Sequence, residues 1–370
     1  MVQPELEPVG CRARRQRLLD VLRDQQLDLA IITQPAHIRW LTGAWFGPMF
    51  QPAAAMLADG QVILVAPERK LPGDLAVDEV RGYSAQWHST LRNDQRQASS
   101  AVLVQALADR RAKMTRIGVE GSAFPPYLAD VLSGERIDIE AEFYRLRRKK
   151  EPDELRMMRH AIDATEAMYA VARETIEPGV RELDLYSRLY ATAVDALGEP
   201  PTYFGQDFQC NSRGGPPRDR LAEDGELYIL DLGAGYRGYF SDNARTIAVN
   251  GRPTDEQLKA WGSIEQVFQL VESTVRPGVS CRELFEQVQT LLDACLPWQF
   301  NHHLGHGVGL YPHEAPHLNP NWDDTFEVGD VFTAEPGLYH ADLRDGMRIE
   351  QNYLVTEGGV ELLTRFPLEL

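Results

Sequence analysis

Apolar and polar positions alternate along this chain in two regimes. Residues 11–26, CRARRQRLLDVLRDQQ, carry apolar side chains at helical spacing and predict an amphipathic helix. The run LDLAIIT at 27–33 predicts a short buried strand, and QPAHIRWLTG at 34–43 a turn and a helical stub. Two strands around an Asp-Gly turn follow in AAAMLADGQVILVAP, residues 53–67. Residues 92–113 are patterned as a helix, RIGVEG at 116–121 as a strand, and PPYLADVLSG at 125–134 as a helix closed by glycine. This alternation predicts an α/β domain with a mixed sheet over residues 1–143.

From 144 to 370 the pattern changes. Glu151 and Pro152 open a long helix that should run to about Ile176 and stop before Pro178-Gly179. A second helix follows at 181–198, and a second helix pair occupies 254–278 and 280–296. EPGVRELDLYSRL at 177–189 and RPGVSCRELFEQV at 276–288 are alike enough to form an internal repeat. Each helix pair is followed by acid-bearing strands. LYILDLG at 227–233 and SDNARTIAV at 241–249 flank a turn, so that Asp231 and Asp242 are expected to face each other across an antiparallel hairpin. VFTAEPGLY at 331–339 and MRIEQNYLVT at 347–356 repeat the arrangement with Glu335 and Glu350. His306 lies between the two pairs in the glycine-rich run LGHGVGL. Strand interiors are poor places for unpaired acids. Four carboxylates and one imidazole suit two hard divalent ions, which together can activate water toward an amide or ester. The repeat implies a pseudo-twofold domain with the metals between its halves.

The order DxG, SDxxRT, GHGxG, EPGxY and RIE resembles the pita-bread metallopeptidases, and within them the branch of aminopeptidase P and Xaa-Pro dipeptidase (prolidase). RLRRKKEPDELRMMRHAIDAT at 145–165 is similar to that family's entry into the catalytic domain, and 27–43 to the start of its N-terminal domain. The resemblance implies a creatinase-type α/β domain at 1–143 and an α+β pita-bread catalytic domain at 144–370. It implies that Asp231 binds a first metal, that Asp242 and Glu350 bridge, and that His306 and Glu335 complete a second. Glu335 would also handle the proton of the attacking water. His313 matches the family histidine that contacts the scissile peptide, and His302 another that lines the pocket. Arg348 and Tyr339 match positions beside the metals and the substrate. The implied metals are two divalent ions, manganese first, with cobalt, zinc or iron as alternatives. The implied reaction is cleavage of an Xaa-Pro bond in a dipeptide or at a peptide N-terminus. Another small amide on the same scaffold, or metal binding with little catalysis, are the competing readings. A homodimer is implied as well.

One position departs from the family. A loop histidine about seventeen residues before the first aspartate should hold the substrate carbonyl; here that position is Gly214. The loop offers Arg213, Arg218 and Arg220, either as positive charge toward an oxyanion or as a solvated basic loop.

Composition narrows the classes further. A chain of 370 residues with 43% hydrophobic and 25% charged residues is ordinary for a globular protein, and its net charge of −17 opposes nucleic acid or an anionic membrane as partner. The basic run RLRRKK at 145–150 is expected to be a solvated linker and helix entry. Cys11, Cys210, Cys281 and Cys295 have no ligand spacing and are expected to be reduced thiols of a cytoplasmic protein. The N-terminal residues show no signal-peptide pattern, and no apolar stretch is long enough to span a membrane.

Overall fold

The computed structural model describes residues 3–70, 75–108 and 114–370. The chain divides into two units, Met1–Arg147 and Arg148–Leu370. The boundary expected at 143/144 falls inside the helix Glu140–Arg147. That helix belongs to the first unit because Phe143 is fully buried and stacks on His37, with ring centroids 4.4 Å apart.

The first unit is built on a six-stranded sheet in the order Glu79–Tyr83, Val62–Pro67, Ala53–Leu57, Leu29–Ile32, Arg116–Val119, Glu135–Asp138. The central pairs are antiparallel and the outer ones parallel, which makes the sheet mixed. Helix Pro8–Asp24 starts three residues before the expected Cys11, because Pro8 can occupy the first helical turn. The helix expected over 92–113 is Gln95–Ala106, and residues 109–113 of that expectation lie outside the described residues. The helix expected over 125–134 is a single turn, Pro126–Ala129. Two strands of this sheet escaped the pattern, Glu79–Tyr83 and Glu135–Asp138. Both lie at the sheet edges, where exposed charged residues replace the apolar alternation that marks a strand.

The basic run 145–150 is only partly solvated: Arg145 and Lys149 are exposed, whereas Arg147, Arg148 and Lys150 are buried. Arg147 is buried and meets the His37 ring at 2.9 Å inside the first unit. In the second unit Arg148 holds the buried Asp330 at 2.7 Å, and Lys150 holds the buried Glu314 at 2.6 Å. Acids distant in sequence neutralise two of the run's five cations, Arg148 and Lys150.

The second unit carries the repeat. Helices Pro152–Thr175 and Glu182–Leu197 form one pair; Asp255–Thr274 and Cys281–Asp293 form the other. Both first helices leave through an extended residue, Ile176 or Val275, and both links turn at a glycine with positive φ, Gly179 at 95° and Gly278 at 88°. Glycine takes that backbone at no steric cost. Each pair is followed by a sheet, of order Asp207–Cys210, Leu227–Leu232, Asn243–Ala248 in the first half. The second half runs Glu314–Leu318, Gly305–Gly307, Val331–Ala334, Gln351–Thr356, Gly359–Leu362. Amide side chains tie the halves reciprocally: Asn243 Nδ2 donates to the Glu350 carbonyl at 2.7 Å, and Asn352 Nδ2 to the Asp242 carbonyl at 2.5 Å.

The cysteines are all free thiols, three of them buried. Among the described residues no helix is long and apolar enough to cross a membrane.

The strands that present the acids are braced from behind by Tyr169. Its buried hydroxyl lies 2.6 Å from the Asn243 carbonyl and 3.0 Å from the Leu230 carbonyl, and accepts from the Leu232 amide at 3.3 Å. Tyr169→Phe leaves those backbone groups short of a partner and should cost about 1–2 kcal/mol. Urea unfolding of the metal-free protein measures it; an unchanged midpoint would show that the brace contributes nothing.

Candidate metal centre

Strand pairing brings the acids together, though not in the expected register. Asp231 is opposed by Ala244 on one side and by Asp207 on the other. Asp242 sits one residue before its strand, because the turn contains a hairpin of its own, Ala234–Tyr236 against Tyr239–Phe240. Residues two apart in a strand share a face, so Asp242 still points to the side of Ala244 and Asp231. Glu335 and Glu350 flank the last rung of the second ladder, Ala334 opposite Gln351, where the strands cease to pair.

The histidine strand Gly305–Gly307 explains its glycines. A Cβ on Gly305 would strike the Thr333 carbonyl, and one on Gly307 the carbonyls of Ala315 and Glu314. Backbones approach this closely only without side chains. The His306 amide donates to Thr333 Oγ1 at 3.1 Å, and His306 Nδ1 lies 3.0 Å from the Gly307 carbonyl. A carbonyl only accepts, so Nδ1 carries the hydrogen. His306 Nε2 is left facing Glu335 at 3.3 Å and Asp242 at 3.8 Å.

Carboxylate oxygens of Asp231, Asp242 and Glu350 all lie within 4.8 Å of one another, and the same spacing joins ligand atoms of Asp242, His306 and His313 and of His302, His303 and Glu335. The His313 ring stacks on His306 at 3.7 Å. Tyr339 Oη lies 2.9 Å from His302 Nε2 and 3.4 Å from Arg348 Nη1. Arg348 Nη2 donates to Asp231 Oδ2 at 2.9 Å and also to Asp207. All nine side chains singled out in the sequence therefore share one constellation.

Two residues of that constellation were not singled out. His303 lies beside the His306–His313 pair, its ring 5.4 and 5.7 Å from theirs, and its Nε2 lies 3.5 Å from Glu335 Oε1. The His-His dipeptide in NHHLGHG could have marked it. Asp207 adds a further acid beside Asp231, from a short strand with no motif around it.

The charges are strongly perturbed. Burial, helped by the Glu335 and Asp207 charges and opposed by Arg348, pushes the Asp231 carboxyl up to about 6. Burial and then the neighbouring carboxylates also raise Asp242 and Glu350 well above the usual carboxylate range. Glu335 goes the other way. Burial raises it, but the hydrogen bond and charge of His306, followed by His303 and His302, bring it down to about 2. Burial lowers His306, yet Glu335 and Asp242 outweigh burial and lift it to about 9. Burial holds His302 and His313 down to about 4.

The donor set fits divalent metal. Asp231 Oδ1 and Glu350 Oε1 are buried without any hydrogen-bond partner. Buried carboxylate oxygens are ordinarily satisfied, and hard cations are the natural partner of clustered ones.

The loop arginines divide into two kinds. Arg218 grips the buried Glu182 at 2.6 Å, and Arg220 grips the buried Glu226 at 2.5 and 2.9 Å. These two are structural ion pairs, not solvated charges. Arg213 lies over the Tyr339 ring, 3.9 Å from its centroid. Gly214 has φ 144°, and a Cβ there would strike the Asp207 carboxylate. Histidine does not fit that position without moving Asp207 and its partner Arg348.

Residues 156–357 match the model of metallopeptidase family M24, and residues 14–149 that of the creatinase/prolidase N-terminal domain. An uncharacterized peptidase of Staphylococcus aureus (strain USA300) is 26% identical over 360 residues, 95% of this chain and 98% of that relative. The prolidase of Pyrococcus furiosus superposes with a TM-score of 0.77 at 24% identity, covering 94% of this chain and 99% of that one. The Xaa-Pro dipeptidase of Bacillus anthracis gives 0.80 at 22% identity, covering 97% and 99%. At these identities the two superpositions establish a common fold.

Two measurements follow from the geometry. In the metal-free protein, Asp231 keeps its proton up to about pH 6 and His306 up to about pH 9, both above their ordinary values of 3.8 and 6.5. For these two groups the folded state binds more protons than the unfolded one; His302 and His313, held at about 4, oppose that below about pH 6.5, so stability falls as pH rises from about 6.5 to about 9. Metal competes with those protons, and the rise in Tm on adding Mn²⁺ should grow from about pH 5 to about pH 8. Calorimetry reads both trends, and a pH-independent shift would contradict them. Separately, Arg218→Ala and Arg220→Ala should each cost about 1–3 kcal/mol in urea unfolding by stranding a buried carboxylate. Turnover per folded, metal-loaded molecule should stay within about twofold; a loss on the order of a hundredfold, typical of a missing oxyanion donor, would place that arginine at the substrate.

Proposed function

The chain belongs to metallopeptidase family M24, and from that premise we propose that it uses two divalent ions to cleave Xaa-Pro bonds, in dipeptides or at peptide N-termini. The observation that carries this reading is the cluster of Asp231, Asp242 and Glu350 with its two unpartnered buried oxygens, faced by His306 Nε2. Those four residues and Glu335 would hold the metals, with manganese the first choice for a carboxylate-rich set and cobalt, zinc or iron its competitors. When bound, such ions acidify water and polarise an amide carbonyl.

The protein's own groups supply the rest. Glu335, held ionised by His306, accepts a proton at its carboxylate and returns it to the leaving amine. His313 is neutral near pH 7 because burial and the His306 charge lower it, so it offers one N–H to the substrate amide. Arg348 keeps Asp231 oriented through its 2.9 Å bond, and it joins Tyr339 and His302 into one wall of the site. A second reading, hydrolysis of another small amide on the same scaffold, draws on Gly214, where the loop brings no imidazole.

Reconstitution with Mn²⁺ and assay against Xaa-Pro dipeptides, longer Xaa-Pro peptides and non-proline amides separates these readings. Two metal equivalents per chain are expected by elemental analysis. Glu335→Gln should lower turnover by about a hundredfold or more, while His313→Ala lowers it with most metal retained. A metal-loaded Glu335→Gln protein that works at the wild-type rate removes the proton-transfer role. Turnover confined to non-proline amides favours the second reading.

A further inference from the structure

Residues 363–370 form neither helix nor strand, yet side chains from three other elements pin them to the second unit. Arg173, on helix Pro152–Thr175, donates to the Pro367 and Glu369 carbonyls at 3.1 and 2.7 Å. Trp261, on helix Asp255–Thr274, donates its indole N–H to the Leu368 carbonyl at 2.9 Å. These are the first helices of the two repeats, so the segment is a strap across both halves. Phe366 is buried in it, with its ring 5.8 Å from that of Tyr169.

The third anchor is Arg245, fully buried on the strand Asn243–Ala248. A guanidinium has five N–H groups in one plane, and here there are five acceptors for them. Nε donates to the Pro367 carbonyl at 2.9 Å. Nη1 donates to the Ala244 carbonyl at 2.8 Å and to the Glu350 carbonyl. Nη2 donates to Gln351 Oε1 at 3.0 Å and to the Phe366 carbonyl at 3.4 Å. None of the five acceptors is a carboxylate oxygen, so the site uses the shape of the fork and not an ion pair. One rigid plane joins the strap to the rung on which Glu350 stands, where the Glu350 amide donates to the Ala244 carbonyl at 2.9 Å. A lysine ammonium, a compact point charge with three donors on one atom, cannot span these acceptors.

We propose that Arg245 is a positioning residue through which docking of the strap 363–370 sets the metal affinity of the candidate centre. The inference rests on the metal-binding part of the reading above. With the strap in place, the Phe366 and Pro367 carbonyls hold two of the five donors and fix the plane. Without them the plane turns, its grip on the Glu350 carbonyl loosens, and the Glu350 carboxylate leaves the position it shares with Asp231 and Asp242. Groups that hold a ligand from behind typically change metal affinity by about 10–100-fold when lost.

The test loosens the strap from a distance. The double variant Arg173→Met/Trp261→Phe removes three bonds to it, and among the described residues neither side chain is bonded to a proposed ligand. Mn²⁺ affinity is read from the free-ion electron paramagnetic resonance signal, and hydrogen exchange of the Glu350 amide is read in the metal-free proteins. The double variant should bind Mn²⁺ about tenfold more weakly and exchange that amide about tenfold faster. Arg245→Lys, which keeps the charge and loses the fork, should do the same; if it does not fold, the double variant carries the test. Arg218→Met, which costs the same unit an ion pair elsewhere, should stay within about twofold of wild type in both readouts. A double variant with wild-type affinity or wild-type exchange overturns the proposal. So does a folded Arg245→Lys protein that matches wild type, or an Arg218→Met protein weakened as much as the double variant. A wild type that binds no Mn²⁺ sinks the metal reading and the proposal with it, whereas a wild type that binds and a double variant that binds equally well sink the proposal alone.

Discussion

Four carboxylates packed against one another and removed from water are the constraint on which the second unit turns. Asp231, Asp242, Glu335 and Glu350 are all nearly inaccessible to solvent. Like charges at this spacing cannot all ionise without a counter-charge, and without metal the protein resolves the conflict by sharing protons. Asp231, Asp242 and Glu350 are pushed toward the neutral form, while Glu335 stays ionised against His306 and Arg348 stays charged against Asp231. A bound cation replaces those protons, which couples metal affinity to pH through the ligands themselves.

Holding repelling groups together requires a rigid frame, and the internal repeat supplies it. The two halves meet back to back at the acids. Asn243, next to Asp242, bonds the Glu350 backbone, and Asn352, two residues past Glu350, bonds the Asp242 backbone. Arg245 adds a bond to the same Glu350 carbonyl, and the Glu350 amide donates to the Ala244 carbonyl at 2.9 Å. The acids from both halves are thus fixed by backbone and amide contacts that do not depend on the charge of any carboxylate.

The loop before Asp231 illustrates how charge is apportioned around such a site. Arg218 and Arg220 neutralise Glu182 and Glu226 beneath the loop, where an unpaired acid would be costly. Arg348 spans Asp207 and Asp231, so the acid that adjoins Gly214 is already satisfied. Arg213 alone of the loop arginines turns away from these acids, onto Tyr339. The histidines differ in a similar way: His306 is raised by its acid neighbours, whereas desolvation lowers His302 and His303 and, together with the His306 charge, His313.

The residue types and order of the acids, the glycine-flanked histidine and the repeated Pro-Gly helix links were legible in the sequence, because each reports a local requirement. A carboxylate inside an apolar strand needs a partner, a backbone that passes within contact of its neighbour needs glycine, and a helix needs a stop. Helical periodicity likewise marked the four long helices of the second unit, whose buried faces are continuous. Only the tertiary structure decided what depends on distant partners. It fixed the register that sets Asp231 against Asp207 and Ala244, and it buried Arg148 and Lys150 against Asp330 and Glu314. It also sorted three similar loop arginines into two structural ion pairs and one cation without an acid. Charge, spacing and propensity are properties of a segment. Pairing across more than a hundred residues, as between Arg348 and Asp231, is a property of the packed chain, because only folding brings the counter-charge within reach.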